Sequence, residues 1–165
     1  MIGDRSSGIR DRTVTIVEAG PDHLDALVPL FDAYRVFYEQ PSDLERARTF
    51  LTARIRQGES TLFLARLDGD PAGFVQLYPS FSSVSTARIW ILNDLYVAAF
   101  ARRSGVARSL LEHAATWAAE DGAIELALET LIDNEPAKAL YESLGWKMAT
   151  EYDRYQLDLA QVDSR

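Results

Sequence analysis

Three arginines and a glycine lie close together in the second half of the chain, and such residues could bind a phosphate group. The stretch ARRSGVARSLL begins at Ala101, and its apolar residues then recur at helical spacing. A helix that begins here presents backbone N–H groups and the positive end of its dipole, which attract anions. Gly105 lets the backbone approach a ligand closely, and Arg102, Arg103 and Arg108 can donate charge-assisted hydrogen bonds to phosphate oxygens. The segment therefore predicts a diphosphate-binding turn.

Two common nucleotide-binding motifs are missing from this turn. No Gly-Lys-Ser or Gly-Lys-Thr ends it, which disfavours a Walker-type site. No G-x-G-x-x-G opens a helix after a strand, which disfavours a dinucleotide-binding fold. The alternative is that the turn has no ligand and that Gly105 only allows the helix to begin.

Composition narrows the class of protein further. A length of 165 residues is typical of one domain, and the 25 acidic residues outnumber the 17 Lys and Arg, for a net charge of −8. This acidity disfavours nucleic acid as a partner and favours cationic ligands such as amines, although it can also serve solubility alone. With no cysteine and two histidines, neither a disulfide nor a metal site is expected. No apolar run is long enough for a membrane span and the first residues are too charged for a secretory signal, so we expect a cytoplasmic protein.

The elements that must position the turn follow from periodicity and turn signals. Strands are predicted at residues 14–19, 60–67, 72–78, 87–97, 124–130, 146–150 and 152–159. Helices are predicted after Gly20, from a Ser42 capping box to Gly58, from residue 106 to Gly122, and over 136–144. The order β-α-α-β-β-β-α-β-α-β-β predicts an α/β fold with a mixed sheet of six to seven strands and helices on both faces. Residues 1–12 are predicted to be a flexible tail, and 13–165 a single domain.

The second half also carries motifs that resemble a known family. The runs LNDLYVAAFARRSGVARSLL, ALET and NEPAKALYESLGW are similar to the GCN5-related N-acetyltransferase family, whose signature R-x-x-G-x-G/A matches residues 102–107. A second landmark is an Asn that begins a short helix with a Tyr seven residues later, here Asn134 and Tyr141, before Gly145-Trp146. The resemblance covers about residues 13–159. ILNDLYV and NEPAKALYESLG look most like the diamine (spermidine/spermine) acetyltransferase branch.

The resemblance implies an enzyme that transfers an acetyl group from acetyl-CoA to an amine. It also implies a bulge in the strand at 89–97, which splays that strand from 124–130 and leaves a gap for the pantetheine arm. The diphosphate would lie on the amides of 103–108, with Asn134 holding the pantetheine arm. The cofactor-binding residues implied are Leu95, Tyr96, Val97, Arg102, Arg103, Ser104, Gly105, Val106, Ala107, Arg108, Asn134, Ala137 and Lys138.

The catalytic roles are less fully determined. Tyr141 is the expected general acid for the departing thiolate, since a phenol is protonated at neutral pH. The diamine branch has a glutamate where this chain has Asn93, and asparagine cannot accept a proton. The base is therefore Asp94, Glu129 or a water relay; Asp94 would point away from Asn93 in a regular strand unless a bulge re-aims it.

The acceptor site is expected beside the first two helices. Tyr34, Tyr38 and Glu39 could form an aromatic and acidic wall for a cationic amine, with Asn93 beside it, or the aromatics could simply pack on the core. The expected acceptor is a polyamine-like amine, an amino acid or an amine-bearing drug. Two alternatives remain open: acetylation of a protein lysine or N-terminus, and a non-catalytic acyl-CoA-binding regulator. A homodimer is expected by analogy with the family.

Overall fold

The computed structural model describes residues 12–151 and 153–160, and the chain divides into two compact units. The first unit extends to Thr130 and contains a five-stranded sheet with three α-helices; the second begins at Leu131 and contains one short α-helix. The predicted tail falls outside the described residues except for Arg12. None of the helices in the described part is long and apolar enough to cross a membrane.

The bounds of the elements follow the predicted order through the fourth helix. The strands are β1 Val14–Glu18, β2 Thr61–Leu67, β3 Asp70–Ser82, β4 Ala87–Val97 and β5 Glu125–Leu128. The helices are α1 Leu24–Phe37, α2 Leu44–Gln57, α3 Val106–Glu120 and α4 Glu135–Ser143, with 3-10 turns at Pro21–His23 and Ala99–Ala101.

The sheet is mixed, with strand order β1-β2-β3-β4-β5. Strands β1 to β4 pair antiparallel, and β4 pairs parallel with β5 through the α3 crossover. A single helix between β1 and β2 would favour a parallel pair. Here two helices, α1 and α2, return the chain to the end of β1 where it left the sheet, so β2 starts there and runs antiparallel to β1. The backbone N–H of Ala19 accordingly donates to the Leu62 carbonyl at 2.8 Å. The predicted α/β class is confirmed.

Helices cover both faces of this sheet, as predicted. On one face Phe31 of α1 stacks on Phe50 of α2 with ring centroids 5.5 Å apart, and both belong to the apolar layer that also holds Leu62, Leu64 and Phe74. On the other face Trp117 of α3 meets Phe63 and Trp90 edge-on, at centroid distances of 5.4 and 4.9 Å. The two layers bury both faces of β2 and β3 at residues 62–65 and 72–77, and every residue there except Gln76 is apolar.

The two strands predicted after the fourth helix are wrong for the described residues. Residues 146–151 and 153–158 form no strand there. Trp146 is half-buried, but large apolar side chains after it are exposed, by 79% at Met148 and 89% at Tyr155. A strand is stabilised by a neighbour and by burial of one face, and apolar alternation alone provides neither. The described sheet therefore has five strands, where six to seven were predicted.

The start of α2 also differs from the prediction. Its N-cap is Asp43, whose side chain accepts a hydrogen bond from the Arg46 N–H at 2.9 Å, so no capping box forms at Ser42. The Ser42 hydroxyl instead donates to the buried Asp32 carboxylate of α1 at 2.6 Å, because a buried carboxylate is stabilised when both of its oxygens accept hydrogen bonds. Helix α2 ends, as predicted, at Gly58 with a positive φ of 63°.

Candidate active site

A β-bulge at Asn93 shapes the middle of β4. Leu92 pairs with Leu77 and Asp94 pairs with Gln76, so Asn93 is the extra residue on β4. Because Leu77 and Gln76 point to opposite faces of β3, Leu92 and Asp94 also point to opposite faces, which a regular strand would not allow. The bulge therefore turns Asp94 to the face covered by α1.

Asp94 is a buried carboxylate with several hydrogen-bond donors around it. It is 4% exposed. The Gln76 Nε2 donates to Oδ2 at 2.5 Å, and the Asn93 Nδ2 donates to Oδ1 at 3.0 Å. The Tyr34 hydroxyl of α1 lies beside the same carboxyl group and favours its charged form. This arrangement binds the ionised form of Asp94 and fixes its orientation.

Burial is the largest influence on the pKa values of Asp94, Tyr34 and Tyr78. Desolvation raises the pKa of Asp94 above the usual range for a carboxyl group, and the hydrogen bonds from Gln76, Tyr34 and Asn93 oppose the rise. Burial and then the nearby Asp94 charge also raise the pKa of the Tyr34 hydroxyl, and they raise the pKa of Tyr78 to about 12. Both phenols therefore hold their protons near neutral pH, and Asp94 is a stronger base than an exposed aspartate.

The three residues predicted to form an acceptor wall lie at the C-terminal end of α1. Tyr34 is half-buried and contacts Tyr38 edge-on, with ring centroids 5.1 Å apart. Tyr38 is exposed, and Glu39 follows it in an exposed left-handed position with φ of 60°. The structure thus brings Tyr34 to Asp94 and Tyr38 to Tyr34, and leaves Glu39 exposed to solvent after the end of α1.

The pairing of β4 with β5 stops at the bulge. The last parallel pair is Leu92 with Leu128, and the remainder of β4 pairs with β3. Leu95, Tyr96 and Val97 therefore lie on the part of β4 beyond its pairing with β5. Glu129, which directly follows β5, is exposed. Strand β5 itself ends at Leu128, and the gap for the pantetheine arm that the resemblance implies beyond this pair stays a prediction.

The predicted anion-binding turn connects β4 to α3. Gly105 has φ of 82° and a Cβ there would meet no atom within 4 Å, so the backbone faces open space. No side chain caps the N-terminus of α3. Val106 is buried and anchors the helix, while Ala107 is half-buried. The first N–H groups of α3 lack intrahelical partners, as in any helix, which suits them to an anion.

Four arginines surround this turn. Arg102, Arg103 and Arg108 are exposed, and Arg103 has a positive φ of 58°. The Arg12 guanidinium, which sequence reasoning assigned to a flexible tail, donates to the Ser104 hydroxyl at 3.0 Å and to Asp68 at 3.3 Å. The turn is therefore a local concentration of positive charge on an acidic protein.

The remaining predicted residues lie on α4, in the second unit. Asn134 is the N-cap of α4 and accepts a hydrogen bond from the Ala137 N–H at 3.4 Å. The Lys138 ammonium donates to Glu135 at 2.9 Å and to the Ile132 carbonyl. Tyr141 is half-buried and lies 6.0 Å from Trp146 between ring centroids. These contacts give Asn134 a structural role at the start of the helix.

The sequence analysis did not predict three residues near Asp94: Gln76, Tyr78 and Ser60, whose hydroxyl donates to the Gln76 side chain at 2.8 Å. A glutamine inside the apolar strand AGFVQLY was the available signal, since an uncharged polar residue at a buried position needs partners. Within the described residues, no group of three or more His, Cys, Asp or Glu is arranged to hold a metal ion.

Comparison with known proteins identifies the class. Residues 25–146 match the acetyltransferase (GNAT) family model. An uncharacterized N-acetyltransferase YhfO of Bacillus subtilis is 43% identical over 88% of this chain and 98% of its own length. A thialysine N-epsilon-acetyltransferase of Caenorhabditis elegans is 27% identical over 90% of this chain and 94% of its own. The crystal structure of a probable acetyltransferase, 48% identical, superposes with a TM-score of 0.83 over 88% of this chain and 97% of that one.

This chain therefore belongs to the GNAT acetyltransferase family. It is an acyltransferase, and acetyl-CoA is the acetyl donor that members of this family use.

Proposed function

We propose that the protein transfers an acetyl group from acetyl-CoA directly to the primary amine of a small cationic acceptor, such as a polyamine, an amino acid or an amine-bearing drug. The observation that carries this proposal is the buried Asp94 carboxylate beside the Tyr34 hydroxyl, at the point where β4 leaves β5. A buried carboxylate among aromatic rings attracts an ammonium group and can then accept its proton.

The acceptor would lie against the aromatic cluster at the end of α1. Tyr34 contacts Tyr38 at 5.1 Å and Tyr96 at 6.5 Å between ring centroids, which offers ring faces and edges to a cation. The net charge of −8 favours the approach of a cation. The C. elegans relative is named for acetylating the ε-nitrogen of thialysine, which supports an amino acid or similar amine as the acceptor here.

The turn at 102–108 fits the diphosphate of coenzyme A. Gly105 opens to unfilled space, α3 has no side-chain cap, and the arginines around the turn can neutralise phosphate oxygens. When bound, acetyl-CoA supplies the thioester carbonyl that the amine attacks. The backbone of 95–97 and the residues Asn134, Ala137 and Lys138 are assigned to the pantetheine arm.

Proton transfer in this proposal begins at Asp94. An alkyl ammonium has a pKa of about 10 and must lose a proton before it can attack. Asp94 accepts that proton, since burial makes it a stronger base than an exposed carboxylate. Glu129 is the second candidate, and its exposure makes it the weaker one.

The other two needs of the reaction are met by backbone and by Tyr141. Backbone N–H groups near the Asn93 bulge stabilise the negative charge that develops on the carbonyl oxygen. The Tyr141 hydroxyl donates a proton to the departing sulfur. The diamine branch has glutamate at the position of Asn93. Here the Asn93 amide donates a hydrogen bond to Asp94 and stabilises the ionised carboxylate.

Thiol release tests this function. The purified protein is incubated with acetyl-CoA and spermidine, lysine, thialysine, an aminoglycoside or a lysine-containing peptide. We expect release with at least one small amine, and a fall on the order of 100-fold in kcat for Asp94→Asn but not for Asp70→Asn, an exposed residue at the start of β3. Turnover of the peptide alone would show a protein acceptor. Binding of acetyl-CoA with no release on any amine would contradict the proposal.

A further inference from the structure

A second polar side chain is buried beside Asp94, and nothing in the chemistry so far uses it. Among the described residues the buried polar side chains are Asp32, Gln76 and Asp94. Asp32 serves the junction of α1 and α2. Gln76 is fully buried in the most apolar part of β3 and faces Asp94 across the sheet. Burying an amide is unfavourable unless both its ends are bonded, so Gln76 requires an explanation.

Both ends of the Gln76 amide are bonded, each to a different group. Its Nε2 donates to Asp94 Oδ2 at 2.5 Å, and its Oε1 accepts from the Ser60 hydroxyl at 2.8 Å. An ionised carboxylate only accepts hydrogen bonds, so it requires the NH₂ end of the amide. A flipped amide would place the Gln76 oxygen against an Asp94 oxygen, so the carboxylate selects the orientation. The Ser60 hydroxyl donates to the amide oxygen in that orientation and holds it in place.

We propose that Ser60 and Gln76 are positioning residues that hold the Asp94 carboxylate in place as the proton acceptor of the reaction. This inference rests on the function proposed above. Ser60 lies directly before β2, Gln76 lies in β3 and Asp94 in β4, so the chain of hydrogen bonds crosses three neighbouring segments of the sheet. Neither residue is assigned to contact the amine or acetyl-CoA.

The groups facing Asp94 decide what a pH experiment reports. From α1 it is faced by Tyr34, and from β3 by Gln76 and Tyr78. Arg54 and Glu59 act on Tyr78. Burial raises the pKa of Tyr34, and that of Tyr78 to about 12, so both remain protonated while a carboxylate titrates. Neither phenol therefore contributes to the acidic limb of the pH profile, and the carboxyl titration of Asp94 itself identifies the group that does.

The sign of the expected change follows from the hydrogen bond. The bond from Gln76 lowers the pKa of Asp94 against the effect of burial. Gln76→Leu removes it, so the acidic limb of kcat/KM should move to higher pH by about one unit, as the loss of one charge-assisted bond would produce. Ser60→Ala should move it less in the same direction, because the amide keeps its hydrogen bond to Asp94 but loses the one that holds its oxygen end.

The experiment compares Ser60→Ala, Ser60→Thr and Gln76→Leu with Ser83→Ala, an exposed turn residue outside the network. Two readouts are used: the pH profile of kcat/KM for the best amine, and a carbon-13 NMR titration of the Asp94 carboxyl in the full chain, assigned with Asp94→Asn. We expect Ser60→Thr, which keeps the hydroxyl, and Ser83→Ala to match the wild type. The Kd for acetyl-CoA should stay within about twofold in every variant, since the network lies apart from the turn at 102–108.

The outcomes separate this inference from the proposed function. An unchanged pKa of the Asp94 carboxyl in both Ser60→Ala and Gln76→Leu would overturn the positioning role, whatever the activity. A shifted carboxyl titration with an unshifted kcat/KM profile would also overturn it, because Asp94 would then not be the proton acceptor. Failure of the wild type to acetylate any amine would instead count against the proposed function. If Gln76→Leu does not fold, Ser60→Ala alone decides.

Discussion

At the scale of single residues, Asp94 is a carboxyl group in a buried position that disfavours its charge. Its pKa is raised by burial, so between the unfolded and folded pKa values the folded state binds more protons. The stability contributed by this group therefore falls as pH rises through that window. A carboxylate kept in such a place, with donors from Gln76, Asn93 and Tyr34, is typical of a site where a proton must be accepted.

Tyr141 is assigned to the other proton transfer, and its removal should separate binding from chemistry. Tyr141→Phe keeps the ring beside Trp146 and deletes the hydroxyl. We expect kcat to fall on the order of 100-fold, because a general acid is lost, while the Kd for acetyl-CoA changes less than about twofold. Steady-state kinetics and calorimetry measure the two. Tyr155→Phe, exposed by 89%, is the control. An unchanged kcat would remove Tyr141 as the acid.

The sequence could identify Asp94 but not the residues that hold it. Asp94 stands next to Asn93 in a motif, so adjacency and a possible bulge were enough to name it. Gln76 and Ser60 are 18 and 34 residues away, and their contacts depend on strand register and on which strand carries the bulge. Register follows from the packing of whole strands, which a local pattern does not contain.

At the scale of elements, helix α3 provides a matched pair of glycines. Gly105 precedes the helix and Gly122 follows it; both have φ of 82° and a Cβ at either would meet no atom within 4 Å. Gly105→Glu and Gly122→Glu therefore introduce similar backbone strain and the same charge. We expect Gly105→Glu to weaken acetyl-CoA binding by at least about 100-fold, because the carboxylate takes the place of the phosphate at the positive end of the helix dipole and repels the phosphate charge.

Calorimetric titration of both variants with acetyl-CoA measures the difference. Gly122→Glu should bind within about twofold of the wild type, and thermal unfolding should show a comparable loss of stability in the two proteins. Equal affinity in the two variants would mean that the coenzyme does not bind at the N-terminus of α3.

The junction of α1 and α2 depends on Asp32, and this gives a stability test. The pKa of Asp32 is lowered by the Ser42 hydroxyl and the Asp43 backbone N–H, which donate at 2.6 and 2.7 Å. The stability it adds is present above the unfolded-state pKa and is lost as pH falls through the lower folded-state value. Asp32→Asn should lower the free energy of unfolding by about 2 kcal/mol at neutral pH.

Urea unfolding from about pH 7 to pH 3 measures this effect. The wild type should lose stability on acidification, and Asp32→Asn should lose less over the same range. Asp25→Asn is the control, because the Asp25 side chain is 91% exposed and its pair with Arg48 contributes little. An acid profile of Asp32→Asn as steep as that of the wild type would contradict this role.

Helices and paired strands were predictable where periodicity and stop signals agree. Helix α3 and its glycines, the end of α2 at Gly58 and the hairpin at Asp68-Gly69 all follow from local chemistry. The cap of α2 was misread because Ser42 and Asp43 are both good N-caps, and the buried Asp32 decides between them. The strands predicted beyond α4 are wrong because alternation of apolar and polar residues does not indicate whether a neighbouring strand is present.

At the scale of the whole molecule, charge is distributed unevenly. A chain of net charge −8 gathers Arg12, Arg102, Arg103 and Arg108 around one turn, and places a buried carboxylate at the bulge of the preceding strand. The first feature suits an anionic donor and the second a cationic acceptor. The homodimer expected from the family is still a prediction, which light scattering can test.

The central claim is that β4 and the turn at 102–108 bind the same coenzyme A molecule. The most direct test is the crystal structure of the complex with coenzyme A. We expect the diphosphate on the backbone amides of 103–108 and the pantetheine arm between β4 and β5, beyond Leu92 and Leu128. An ordered coenzyme bound elsewhere, with the turn at 103–108 empty, would contradict the claim.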